Sequence, residues 1–103
     1  MVSRTGAAFL GGLMLANGVP HFLSGVRGVR YSCVLGNSAE RNALAGVSAF
    51  ALAGGLLCAA GRGRSQPVAA AAGALAISVF HARGGPHWLN TVAGRPNPED
   101  ERA

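Results

Sequence analysis

The chain has 103 residues and a formal net charge of +5, yet only 13% of its residues are charged and 50% are hydrophobic. Small side chains dominate, with 20 Ala and 16 Gly against 25 residues of Leu, Ile, Val and Phe combined. Side chains this small bury little area, which disfavours a water-soluble core, and the long uncharged blocks disfavour disorder. We therefore expect a single-domain membrane protein with an all-α fold.

The first predicted helix covers about residues 5–24, within which residues 5–23 carry no charge. This block is long enough to cross a bilayer, since about 20 residues span about 30 Å of hydrocarbon. A competing interpretation makes residues 1–18 a cleaved signal peptide. The apolar residues Val19 and Phe22 follow directly after that site, and this favours a continuing span.

Two further helices are predicted, at about residues 38–60 and 67–82. The second follows a capping box at residues 37–40 and ends at Gly61. The third begins at Pro67, because Pro is favoured at the first helical position. We expect residues 1–94 to form a three-transmembrane-helix bundle with short loops and an interfacial segment at 86–94. The remaining residues, 95–103, are rich in Pro and charge and are predicted to be a disordered tail.

All nine positive side chains are Arg, and nearly all lie between the apolar blocks. This distribution favours contact with anionic lipid head groups over nucleic-acid binding. Three spans place the first loop and the tail on one side of the membrane, together with six Arg. The other side then has three Arg and the amino terminus. The positive-inside rule then predicts a multi-pass inner-membrane protein with the N-terminus outside and the C-terminus cytoplasmic. Trp88, Arg27 and Arg30 are predicted interface anchors.

Small residues recur at intervals of about four in each predicted helix. In lipid, helices associate where small residues allow close backbone approach, so these stripes predict helix packing, within one chain or in a homo-oligomer or larger membrane complex. Chance spacing in an Ala- and Gly-rich chain is the alternative. The predicted packing residues are Ala8, Gly12 and Ala16, then Ala49, Ala53 and Gly55, then Ala70, Ala74 and Ser78.

Polar residues form a stripe at the end of the first helix, where Asn17, His21 and Ser24 follow i, i+4, i+7 spacing. Pro20 lies among them and frees a backbone carbonyl. Polar groups at membrane depth need a partner or a cavity, so the stripe has either a structural or a functional role. In the structural interpretation, Asn17 satisfies backbone groups and His21 reaches the interface.

Three histidines, His21, His81 and His87, are predicted at the same end of the bundle. Such a set could ligate a transition metal or a haem iron. No carboxylate is predicted within the bilayer, since Glu40 precedes the uncharged block of the second helix, and the sequence offers neither a carboxylate pair nor a phosphate-binding loop. We therefore expect a non-enzymatic protein without a cofactor, with haem b as the alternative. Cys33 is predicted in the first loop and Cys58 near the far end of the second helix, so the two thiols lie on opposite sides of the bilayer, too far apart to pair.

The run from Asn17 to Gly28 resembles the start of a family of small uncharacterised bacterial integral membrane proteins. In that family the first helix ends in Asn-Gly-x-Pro-His-Phe, followed by spaced glycines. The resemblance covers about a tenth of the chain and implies the same three-span plan. The loop that follows departs from the family, because residues 31–35 stand where an aromatic- and proline-containing loop is expected.

A second resemblance is to the cytochrome b subunits of succinate dehydrogenase, whose haem-binding segment contains His-x-x-x-Gly-x-Arg. Here His21, Gly25 and Arg27 have that spacing, but Gly28 stands where the family has another His. The residues as a whole predict an accessory or self-associating membrane subunit. A haem- or metal-binding anchor subunit is the alternative that this resemblance implies.

Overall fold

The computed structural model describes residues 3–101 of the chain, and all regular secondary structure over that range is helical, with no strand. The predicted all-α fold is confirmed. Three of its helices are long and apolar enough to cross a bilayer. The helices are α1 (Arg4–Val26), α2 (Ala39–Ala60), α3 (Ser65–Ala82), α4 (Gly85–Val92) and α5 (Pro98–Glu101).

The helix ends follow local capping chemistry. Helix α2 begins one residue later than predicted, because the Ser38 side chain accepts a hydrogen bond from the Arg41 backbone N–H at 3.1 Å and acts as the N-cap. Gly61 ends α2 with a φ of 70°, a conformation that glycine adopts at little cost. Helix α3 begins at Ser65, and Pro67 lies inside its first turn, where the missing N–H is not needed.

Helix α1 is the central element, since it packs against both α2 and α3 while those two barely touch each other. Glycines make these contacts close. A Cβ on Gly12 would clash with the backbone of Ala70, and one on Gly73 would clash with the backbone of Phe9. A Cβ on Gly46 of α2 would likewise clash with the α1 backbone. The α1–α2 and α1–α3 interfaces are therefore places where backbones meet almost directly.

The predicted packing residues divide between the inside and the outside of this bundle. Ala8, Gly12, Ala49 and Ala53 are buried, Ala16, Ala70 and Ala74 are half-buried, and Gly55 and Ser78 are exposed. A Cβ on Gly55 would meet nothing within 4 Å. The α2 stripe is thus split, with one part against α1 and one part facing outward.

One end of the bundle carries a cap, which consists of residues 27–38 and 83–101. The opposite end holds the start of α1 and the α2–α3 turn, where the Arg4 guanidinium lies near Gly61. This arrangement agrees with the three predicted spans, which place the first loop with the tail and the N-terminus with the α2–α3 turn. Helix α4 lies in the cap, where the interfacial segment 86–94 was predicted, and Trp88 on it is 58% exposed.

The tail differs from the disorder predicted for residues 95–103. Asn97 is 6% exposed, and its Oδ1 accepts a hydrogen bond from the Ser32 hydroxyl at 2.7 Å. The Asn37 amide donates to the Pro96 carbonyl at 2.8 Å. Residues 95–101 pack on the first loop because this loop supplies their polar partners. The local sequence of the tail does not indicate these partners. Residues 102–103 lie outside the described residues.

Candidate functional site

The candidate site is a polar network at the capped end of the bundle, beginning with His21 of α1. This side chain is 6% exposed, and its Nδ1 lies 2.7 Å from Oδ1 of Asn42 at the start of α2. An amide oxygen only accepts hydrogen bonds, so the His21 Nδ1–H donates to it. Nδ2 of Asn42 lies within 3.2 Å of the backbone carbonyls of Tyr31, Asn37 and Ser38. Asn42 therefore fixes the His21 ring and ties the first loop to α2.

A second branch of the network is centred on His81 at the end of α3. Its Nε2 lies 2.8 Å from Oδ1 of Asn17, and its Nδ1 lies 2.9 Å from the Tyr31 hydroxyl. The His81 Nε2–H donates to the Asn17 amide oxygen, which leaves Nδ1 to accept from the phenol. Burial, followed by the negative charge of Glu99 and of Cys33, raises the pKa of Tyr31 above its usual value, so the phenol keeps the proton that it donates.

The two branches meet because the rings of His21 and His81 lie 5.2 Å apart, centroid to centroid, at an interplanar angle of 71°. The Tyr31 ring lies at the same centroid distance, 5.2 Å, from the His21 ring. Side chains from α1, α3 and the first loop therefore converge on one point. α2 completes the group through Asn42.

Cys33 belongs to the same group and is 2% exposed. Burial alone would raise the pKa of its thiol, but hydrogen bonds with the His21 side chain and with the backbone at Leu35 and Gly36 outweigh burial. The pKa of Cys33 is consequently lower than its ordinary value. The loop thus places a thiol with increased thiolate character beside an imidazole.

Two cavities flank this thiol, with volumes of about 200 Å³ and about 190 Å³. Both are lined by Asn17, His21, Cys33 and Val34. Apart from these shared residues, the walls are mainly apolar. Leu13, Ile77, Phe80, His81, Pro86 and Leu89 line the first cavity, and Met14, Leu35, Ala45, Ser48, Ala49 and Leu52 line the second. Each cavity can therefore hold a small apolar group next to Cys33.

The structure places the predicted polar stripe partly in this network. Asn17 and His21 are members of it, as described above. Pro20 lies inside α1 and, with His81, lines a further cavity of about 340 Å³. Ser24 is half-buried, and its backbone carbonyl accepts a hydrogen bond from the Val29 N–H at 2.9 Å.

The three histidines do not form the single group that the sequence predicted. His87 lies on α4, and its Nε2 is 2.8 Å from Oδ1 of Asp100 in the tail. Over residues 3–101, no group of three or more His, Cys, Asp or Glu side chains could hold a metal ion. Only His21 and His81 come together, because α4 turns the third histidine toward the tail.

Sequence reasoning missed Tyr31, Cys33 and Asn42 as members of the site. The available signal for Asn42 was its position, since it is an uncharged polar residue at the first turn of an apolar helix. Tyr31 and Cys33 lie in a loop without periodicity, so their sequence neighbours do not indicate their spatial partners. The predicted anchors Arg27 and Arg30 are exposed, at the capped end of the bundle.

The fold and the network define a class of protein: a small multi-pass membrane protein whose three long helices include a central α1 packed between α2 and α3, with a polar site under one cap. No known protein-family model matches the chain, and neither a curated protein nor a solved structure shows significant similarity to it. The resemblances that start from Asn17 and His21 stay predictions.

Proposed function

We propose that the protein is a small non-enzymatic subunit that self-associates in the membrane through the outer face of α2. The observation that supports this function is a second stripe of small residues on α2, formed by Ala51, Gly55 and Ala59. All three are exposed, and a Cβ on Gly55 would meet nothing within 4 Å. In lipid, such a stripe permits close approach of another helix.

A second copy of the chain is the partner that this face fits best. In a two-fold arrangement, each copy presents the same stripe, so that Gly55 of one copy could face Gly55 of the other and both backbones could approach closely. Both outer faces expose larger side chains: Val68, Leu75 and Val79 on α3 at 71%, 66% and 47%, and Leu44, Val47 and Leu52 on α2 at 57%, 52% and 56%. The alignment of Ala51, Gly55 and Ala59 is what favours the α2 face as the contact.

Cysteine cross-linking in native membranes tests this function. Cys58 is exposed beside the stripe, whereas Cys33 is buried. Mild oxidation is expected to produce a disulfide-linked dimer through Cys58, and Gly55→Leu is expected to abolish it by separating the helices. Ala76→Leu, a matched change on the outer face of α3, should leave the dimer unchanged. Equal cross-linking in the Gly55→Leu variant would mean that the pairing does not use this face.

We also propose an inner-membrane location with the N-terminus outside and the cap on the cytoplasmic side. The support is the distribution of Arg along the chain. Six Arg lie in the cap segments, at the start of α2 or in the C-terminal tail, and three lie at the other end. Anionic lipid head groups would then contact the more basic end.

We further propose that the protein has no resident haem or metal. Both ring nitrogens of His81 are hydrogen-bonded, and so is Nδ1 of His21. An optical spectrum and metal analysis of the purified protein test this point. A Soret band that disappears in the His21→Ala variant would support the alternative, a haem-binding anchor subunit.

A further inference from the structure

We propose that Cys33 is a nucleophilic thiol that accepts an apolar acyl group from an acyl thioester, with His21 as its base. Three features carry this proposal: the arrangement of thiol, imidazole and amide, the two apolar cavities beside the thiol, and a side-chain amide that can donate to the acyl carbonyl. The acylated chain is the product, so Cys33 is a modification site of the protein itself.

Cys33 and His21 line the same two cavities, and Asn42 holds the His21 ring from the other side. Because Nδ1–H of His21 donates to Asn42, Nε2 is the ring nitrogen left to act as a base toward Cys33. Asn42 is 0% exposed and is held in turn by three backbone carbonyls. The imidazole therefore has one tautomer and one orientation, as in thiol–imidazole–amide sites of unrelated folds.

The cavities supply space for the acyl chain. A cavity of about 150 Å³ lined by apolar residues holds a benzene molecule. The two cavities of about 200 and 190 Å³ are therefore large enough for a short acyl chain or for the end of a longer one. Cys33 lines both, so an acyl group attached to its sulfur can enter either.

Asn17 is the group that would bind the acyl carbonyl. It lines both cavities together with Cys33, and its Oδ1 accepts from His81. Because the oxygen is held by His81, the amide N–H groups are left to donate to an oxygen that becomes negative as sulfur adds to the carbonyl. Tyr31 and His81 are positioning residues in this arrangement, since His81 orients Asn17 and Tyr31 orients His81.

The covalent step is an exchange of thioesters. His21 Nε2 takes the proton of the Cys33 thiol, and the thiolate attacks the carbonyl carbon of the donor. A carbon–sulfur bond to Cys33 forms, and the carbon–sulfur bond to the donor thiol breaks. The departing thiolate takes the proton from His21. No oxidant or reductant is needed, and the pKa of Cys33, which lies below its ordinary value, favours loss of the thiol proton.

The test uses the purified full-length protein with the butyryl thioester of N-acetylcysteamine. Intact-mass measurement and peptide mapping follow the butyryl adduct at Cys33 and at Cys58, the exposed thiol that serves as an internal control. We expect hydroxylamine-sensitive acylation of Cys33 at least about tenfold faster than of Cys58, despite burial of Cys33. Equal rates, or a faster reaction at Cys58, would overturn the proposal without any variant.

Two variants give the second measurement. His21→Gln is expected to slow acylation of Cys33 by about 100-fold, the lower end of the range for a general base. Asn17→Ala is expected to slow it by a similar factor, typical of a lost oxyanion donor. Circular dichroism and elution volume verify that each variant is folded. A folded His21→Gln protein that is acylated at the wild-type rate would exclude His21 as the base.

Discussion

At the scale of single residues, the side chains that matter most are polar ones at membrane depth. The sequence alone indicated that Asn17 and His21 need partners, because polar groups in a span are costly. It did not indicate the partners. His81 lies 64 positions from Asn17, and the two meet only because Gly12 and Gly73 bring α1 and α3 close together.

Replacing Asn42 should destabilise the fold more than any surface polar change. Asn42→Ala removes the acceptor of the buried His21 N–H and the donor to the carbonyls of Tyr31, Asn37 and Ser38. The Asn37 and Ser38 carbonyls keep backbone partners, so the main group left unpaired is the buried His21 N–H. We expect a loss of about 3 kcal/mol in the free energy of unfolding. Denaturant titration in detergent, followed by circular dichroism, measures it. Ser48→Ala, an exposed position on the same helix, should change stability by less than about 0.5 kcal/mol. An equal effect of both changes would contradict the described role of Asn42.

The reactivity of Cys33 should extend to lower pH than that of an ordinary thiol. Only the thiolate is alkylated, and the pKa of Cys33 lies below its ordinary value of 9.0, so more thiolate is present at neutral pH. In a Cys58→Ser protein, the alkylation rate by iodoacetamide should reach half its maximum below pH 9.0 and fall as pH decreases further.

The titratable groups that interact with this thiol are His21 from α1 and Tyr31 from the first loop. His81 from α3 lines the first cavity with Cys33, and Glu99 from the tail acts on Tyr31. His21→Gln should raise the midpoint of the alkylation profile. The interaction with His21 lowers the pKa of Cys33, and without it the effect of burial, which raises that pKa, is larger in proportion. A wild-type midpoint at or above pH 9.0 would disagree with the described surroundings of Cys33.

At the scale of elements, the helices could be predicted well and their packing only in part. Uncharged blocks and capping residues indicate where each helix begins and ends, and the bounds of α1 to α3 agree with prediction within two residues. Spacing alone did not tell which small residues face inward, since Gly55 and Gly46 both lie on α2 and only Gly46 meets α1. The structure of the cap was harder to predict, because its tail is held by contacts with residues that are distant in sequence.

Two Gly→Ala changes should have opposite effects on stability. In Gly12→Ala, the new methyl group would clash with the Ala70 backbone, and we expect a loss of about 1–3 kcal/mol as α1 and α3 separate. In Gly54→Ala, the methyl group meets nothing within 4 Å, and the better helix former should add about 0.5–1 kcal/mol. Unfolding in detergent measures both. Equal destabilisation by the two changes would contradict the assigned α1–α3 interface.

At the scale of the whole molecule, the capped end and the open end differ. The first loop and the tail lie together in the cap, and the N-terminal end of α1 lies beside the α2–α3 turn. This pairing follows from an odd number of spans, so it could be predicted once three helices were recognised. The contacts that close the cap could not be predicted in this way, because Ser32 and Asn97 come from segments without periodicity.

Single-cysteine labelling should place the two parts of the cap on one side of the membrane. In a Cys33→Ser, Cys58→Ser background, Val29→Cys and Ala93→Cys are both exposed positions in the cap, whereas Arg62→Cys lies at the other end. An impermeant maleimide should label the first two from the same side, which we expect to be cytoplasmic, and the third from the opposite side. Labelling of positions 29 and 93 from different sides would rule out the three-span arrangement.

Self-association through the outer face of α2 is a property of the whole molecule, and co-expression of two differently tagged copies can measure it. The copies are extracted in mild detergent and purified through one tag. We expect recovery of both tags from the wild-type protein and from Ala76→Leu, and loss of the second tag by at least about tenfold in Gly55→Leu. Recovery of a single tag from the wild-type protein, or of both tags from Gly55→Leu, would contradict it.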